Sequence, residues 1–132
     1  MSAMWEVQKA LVAALKADTD FMSSINNRIY DEPPTNQKYP YVLVGDMTEI
    51  PDNRHTFLGF NITSTFTIWT KPGGLGFSQA KEITRKMNTV LNMKIFPLGG
   101  SFIMIICFLE DVTTAREDQY RVIRVIYRVF VH

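Results

Sequence analysis

The sequence predicts an α+β domain, a mainly antiparallel sheet with two helices packed on one face and a β-hairpin closing the chain. Three observations predict it. Apolar residues recur at helical spacing over residues 3–17 and again over residues 78–91. Residues 56–69 carry the cleanest apolar–polar alternation in the chain. Two apolar runs, 102–109 and 120–131, are separated by a polar stretch. A chain of 132 residues is the size of one domain, so residues 1–132 are read as a single unit.

Met4, Val7, Leu11, Ala14 and Leu15 form the stripe of the first helix, over roughly residues 3–17. Trp5 and Val12 lie a heptad apart and to the side of that stripe. They either widen the core face or meet a neighbouring subunit. Asp18 and Asp20 cap a short turn or helix carrying Phe21, Met22 and Ile25, and Arg28-Ile29-Tyr30 is extended. The two prolines and polar residues of 31–38 read as a loop. A strand over 39–47 follows, with a turn at 51–54.

In the alternating strand 56–69, Leu58, Phe60, Ile62, Phe66 and Ile68 share one face, and Asn61, Thr63, Thr65 and Thr67 the other. Lys71 to Gly76 is a glycine-rich turn. The second helix, Ser78–Leu91, has Ser78 as its expected N-cap, Ala80, Ile83, Met87, Val90 and Leu91 inward, and Lys81, Glu82, Arg85, Lys86 and Thr89 outward. Residues 97–100 turn into the strand 102–109. Residues 113–119 form a polar hairpin loop, and the strand 120–131 completes the fold.

Run 102–109 does not alternate. A simple strand would put Phe102, Met104, Ile106 and Phe108 on one face and Ile103, Ile105, Cys107 and Leu109 on the other, and two helices cannot cover both. The last strand puts Ile123, Val125, Tyr127, Val129 and Val131 on one face and Val122, Arg124, Ile126, Arg128 and Phe130 on the other. Exposed apolar patches of this size favour association, so we expect a homo-oligomer with Trp5, Val12, Ile103, Ile105, Leu109, Arg124 and Arg128 as candidate interface residues. Arg124 and Arg128 sit on one strand face amid apolar residues, where they line a pore, pair between subunits or discourage edge pairing.

Composition narrows the function. Forty-six per cent hydrophobic and 20% charged residues place the chain in the globular class, and a formal charge of +1 disfavours a primary role in gripping nucleic acid or anionic membrane. The longest apolar run is far short of the roughly 20 residues that span a bilayer, and the first residues do not read as a secretory signal, so a cytoplasmic, membrane-free protein is expected. The single cysteine, Cys107, lies within an apolar run and reads as a buried hydrophobe.

Catalytic motifs are not persuasive. Gly73-Gly74-Leu75-Gly76 lacks the spacing and the Lys-Ser/Thr of a phosphate loop. Asp46, Glu49 and Asp52 cluster in sequence, but Asp46 and Glu49 would point to opposite strand faces. His55 and His132 have no partners at zinc spacing. No catalytic residue, metal site or cofactor is assigned.

Asn27-Arg28-Ile29-Tyr30-Asp31, Pro33-Pro34 and Tyr39-Pro40-Tyr41-Val42-Leu43-Val44-Gly45-Asp46 resemble the tail completion or tail terminator family of long-tailed bacteriophages. The opening helix ending in Ala13-Ala14-Leu15-Lys16-Ala17-Asp18 fits that resemblance. So do Phe66-Thr67-Ile68-Trp69-Thr70 before the glycine turn, the helix Ser78–Leu91 and the closing hairpin. It covers nearly the whole chain. It implies a structural virion protein forming a hexameric ring on the tail tube protein, ending tube polymerisation and offering a surface to the head-tail connector. DNA would pass only through the lumen, and assembly would occur in the host cytoplasm. The loops at 31–38, 51–55 and 113–119 are candidate contacts with neighbours or tube. The alternatives are a neck connector of similar fold, a non-viral oligomeric binding module, and an enzyme with a perturbed titratable pair in a cleft.

Overall fold

The computed structural model describes residues 2–52, 59–71 and 73–132. The expected turn at 51–54 falls mostly outside them, as do His55, Leu58 and the start of the alternating strand. The elements run α1 (Met4–Ala17), α2 (Thr19–Ser24), β1 (Ile29–Tyr30), β2 (Tyr41–Asp52), β3 (Gly59–Thr70), α3 (Ser78–Leu91), β4 (Met104–Glu117) and β5 (Tyr120–Val131). One sheet has the order β1-β2-β3-β5-β4, antiparallel except where β1 runs parallel to β2. This is the α+β architecture that the periodicities predict.

Val7, Leu11 and Leu15 fall on one face of α1 and are buried. Ala80, Ile83, Met87 and Leu91 do the same in α3. Both helices cover the sheet face that carries Ile62, Phe66 and Ile68 of β3 with Val125, Tyr127 and Val129 of β5, so a single core fills the space between the layers. α2 packs against both helices and adds Phe21 and Met22. Asp18 ends α1 and caps α2, its Oδ1 accepting the Phe21 N–H at 2.8 Å. Arg28 then donates from Nε to the Pro40 carbonyl and from Nη2 to the Tyr39 carbonyl, both at 2.9 Å, and so ties the base of the 31–38 loop.

Four expectations require correction. Ser78 is the first residue of α3, not its cap. Phe77 holds the cap position without a side-chain bond, and the Ser78 hydroxyl donates to the Leu75 carbonyl at 3.2 Å. The expected strand 39–47 is β2, which continues to Asp52 and takes in Pro51; a bulge between Val44 and Met47 absorbs one residue, and Pro51 is tolerated near the end of β2. The expected loop 113–119 is strand: β4 and β5 stay paired from Leu109↔Tyr127 to Glu117↔Tyr120, leaving a turn of Asp118 and Gln119 with Asp118 at φ 56°.

The fourth correction concerns the faces of 102–109. Bulges between Met104 and Ile106 and between Leu109 and Asp111 reset the alternation. Met104 and Cys107 are buried in the core and Leu109 is packed against it, while Ile105 stands exposed. Ile106 pairs with Phe130 and Phe108 with Arg128, which places both on the face away from the helices.

Candidate assembly surfaces

Three surfaces leave apolar groups unmet. The first is a groove of about 340 Å³ between α1 and the β1 edge of the sheet. Trp5, Val12 and Ala13 of α1 face Ile29 and Val44 across it, and Lys9 and Lys16 stand at its rim. Trp5 is 60% exposed, with the Lys9 ammonium 5.6 Å from its ring centroid and 2.9 Å from Glu6 Oε1. Val12 is half-buried against the core. The open choice at these two residues therefore divides: Val12 widens the core face and Trp5 does not.

The second surface is the β4 edge. After α3 the chain turns back along β4, where Lys94 and Cys107 exchange backbone hydrogen bonds of 3.2 and 2.9 Å and Asn92 Oδ1 accepts the Leu109 N–H at 2.8 Å. Ile103 exchanges two bonds of 2.8 Å with His132. These pairings hold Met93, Ile95, Ile103 and Ile105 along one edge, every one of them more than half exposed. Sequence reasoning found Ile103 and Ile105 but passed over Met93 and Ile95. The alternation of Met93, Lys94, Ile95 and Phe96 was the available signal.

The third surface is the sheet face away from the helices. Asn61, Thr63, Thr65 and Thr67 lie on it, as the alternation predicts, beside Arg124, Ile126, Arg128 and Phe130 of β5. Arg128 is engaged within the chain: Nε donates to Glu110 Oε1 at 2.7 Å and Nη1 to Asn61 Oδ1 at 2.8 Å. Arg124 has no ion-pair partner among the described residues. It lines a concavity of about 650 Å³ with Asp46, Asp111 and Glu117. The acidic side chains outnumber the cation there, so this face does not offer a phosphate-binding surface.

Cys107 and Glu49 are engaged in holding the fold. Burial pushes the Cys107 thiol up from 9.0 to about 12, far from the thiolate form that a nucleophile needs. Glu49 turns to α1, where its carboxylate accepts the Ala3 N–H at 2.8 Å and the Ser2 hydroxyl at 2.7 Å, while Asp46 lines the concavity on the other face. Among the described residues no three His, Cys, Asp or Glu side chains gather as a metal site. Gly73, Gly74 and Gly76 all have positive φ, which explains the glycines as turn residues. At the β1 end of the sheet Tyr39 stacks on Tyr120 with ring centroids 4.8 Å apart, and Tyr41 stacks on Trp69 at 6.3 Å. Burial first, then a hydrogen bond with Tyr120, pushes the Tyr39 phenol up to about 12. No described helix is long and apolar enough to cross a membrane.

A chain of a native gene transfer agent virion matches this fold with a TM-score of 0.88 at 20% identity, over 98% of this chain and 97% of that one. The structure of bacteriophage SPP1 gp17 matches with a TM-score of 0.53 at 27% identity, over 96% of this chain and 94% of that one. The fold is thus one found among small α+β virion proteins. In sequence, tail completion protein gp17 of Bacillus phage SPP1 is 31% identical over 94 residues, 71% of this chain and 67% of that protein. The family model for tail completion protein gp17 matches residues 9–132, and the chain belongs to that family. It is a structural component of the phage virion, a tail completion protein.

Proposed function

We propose that copies of this protein form a ring that caps the finished tail tube, ends its polymerisation and presents the surface to which the head connector joins. The observation that carries this reading is the strip of exposed apolar residues on the β4 edge, which a member of a tail completion family has reason to keep only if another subunit covers it. Six copies is the number that the family resemblance implies. DNA in transit passes through the lumen, and a formal charge of +1 suits a channel that should not grip it. Contacts between copies fall to Trp5, Ile103, Ile105 and Arg124, with Val12, Leu109 and Arg128 supporting those surfaces from their packed and ion-paired positions.

The test has two parts. Multi-angle light scattering over a concentration series, with negative-stain images of the same fractions, is expected to give a closed ring. Adding the protein to polymerising tail tube protein is expected to arrest tube growth. An unchanged distribution of tube lengths would refute the capping role.

A further inference from the structure

We infer that the free edge of β4 takes up an extended segment of another virion protein as an added strand, one that carries Lys or Arg on the side facing the concavity. The inference goes beyond the ring reading and stands without it. β4 is an edge strand, and its start is closed from within the chain. Lys94 exchanges two backbone bonds with Cys107, and Asn92 Oδ1 accepts the Leu109 N–H. Past Leu109 no described segment other than β5 bonds to the backbone of β4. Glu110 to Glu117 are exposed throughout.

Alternation fixes which groups are left open. Residues of an antiparallel strand turn their N–H and C=O by turns toward one neighbour and the other. Cys107 and Leu109 face outward, the bulge absorbs one residue, and Glu117 closes the two-residue turn onto Tyr120. Asp111, Thr113, Ala115 and Glu117 therefore bond to β5, while Val112, Thr114 and Arg116 aim three N–H and three C=O groups into solvent. Such a row of donors and acceptors is what an extended peptide pairs with, and no proline interrupts it.

Charge selects the occupant. On one side of this edge Asp111 and Glu117 line the concavity with Asp46, and Arg124 is the one cation among its lining residues. None of the four has an ion pair among the described residues; Asp111 accepts only the Thr113 hydroxyl, at 3.3 Å. Three carboxylates against one guanidinium leave an excess of two negative charges. On the other side stand Val112, Thr114 and Arg116, whose guanidinium lies 5.1 Å from the Phe77 ring centroid. A segment with basic side chains at alternate positions sets them beside Asp111 and Glu117, and its uncharged positions beside Val112 and Thr114. A second copy is opposed. The antiparallel register that pairs all three open residues with another β4 puts Asp111 directly across from Glu117, like charge on like.

The test uses the whole protein and two soluble octapeptides, one alternating Lys with Thr and the other Glu with Thr, read by residue-resolved amide hydrogen exchange. Saturating Lys–Thr peptide is expected to slow exchange at Val112, Thr114 and Arg116 about tenfold, and the Glu–Thr peptide to leave these amides unchanged. Thr114→Pro removes the central donor at a position whose N–H bonds to no described residue, and is expected to keep far-UV circular dichroism while losing the protection. Asp111→Lys combined with Glu117→Lys leaves the backbone edge intact and is expected to transfer the protection to the Glu–Thr peptide. Protection by both peptides alike, or by neither, would overturn the proposal. Binding of the Lys–Thr peptide without slower exchange at the three amides would reduce it to charge attraction and overturn the strand pairing. Self-association that Thr114→Pro abolishes, with no peptide protection in the wild type, would give the edge to a second copy instead.

Discussion

Ile105 and Leu109 are both large aliphatic residues of β4, four positions apart, and the bulges of that strand send them to different fates. Ile105 stands exposed, whereas Leu109 packs against the core, its N–H held by Asn92. Ile105→Asp is therefore expected to change the stability of the single chain by under about 0.5 kcal/mol, while Leu109→Asp should cost about 2–4 kcal/mol by burying a carboxylate where methyl groups packed. Urea unfolding of the two variants checks this, and equal losses would contradict the face assignment. The sequence alone could not separate the pair. Strict alternation puts them on one face, and a bulge leaves no mark in a run where every residue is apolar.

Among the elements, those most legible in the sequence are the ones whose burial follows a clean period. α3 spans Ser78–Leu91 as read, because its inward residues keep the helical period and a glycine turn precedes it. β3 was equally clear from its threonine and apolar faces. The far half of β4 was hidden. Residues 110–117 are exposed and mostly polar, and backbone pairing with β5, not burial, makes them strand. The same kind of non-local support holds the start of α1, whose own cap position is Ala3 and offers no side-chain acceptor. Glu49, reaching from β2, supplies one and places its charge at the positive end of the helix. Glu49→Ala is expected to lower unfolding free energy by about 1–2 kcal/mol, and Glu49→Gln by less because it keeps an acceptor. A Glu49→Ala protein as stable as wild type would show that α1 does not depend on this contact.

Across the whole molecule, stability is expected to fall at alkaline pH. Burial raises the pKa of Cys107 from 9.0 to about 12, and burial is also the main cause of the upward shifts at Tyr39, Tyr41 and Tyr127. In each case the fold favours the neutral form, so the stabilisation is complete below the unfolded values of 9.0 and 10.0 and is lost as pH rises through the folded ones. The window is about pH 9–12. Tyr120 shifts the other way, chiefly through a bond from Gln119, but it stands partly exposed and solvent screens its effect. The urea midpoint should be lower at about pH 10.5 than at about pH 8, with a smaller drop in Cys107→Ala. A midpoint that stays level across that range would contradict the burial of these groups.

The position of β5 bears on how the protein is made. It follows β1 to β4 in the chain, yet it lies inside the sheet between β3 and β4, and its neighbour His132 exchanges both backbone bonds with Ile103. A nascent chain stopped before residue 120 holds β2 and β3 but has no partner for β4, so Ile103 and Ile105 have no fixed edge on which to stand. The exposed strip of Ile103 and Ile105 is therefore ordered only once β5 and His132 have been made. A chain interrupted before β5 therefore lacks an ordered β4 edge, a dependence that follows from strand order alone.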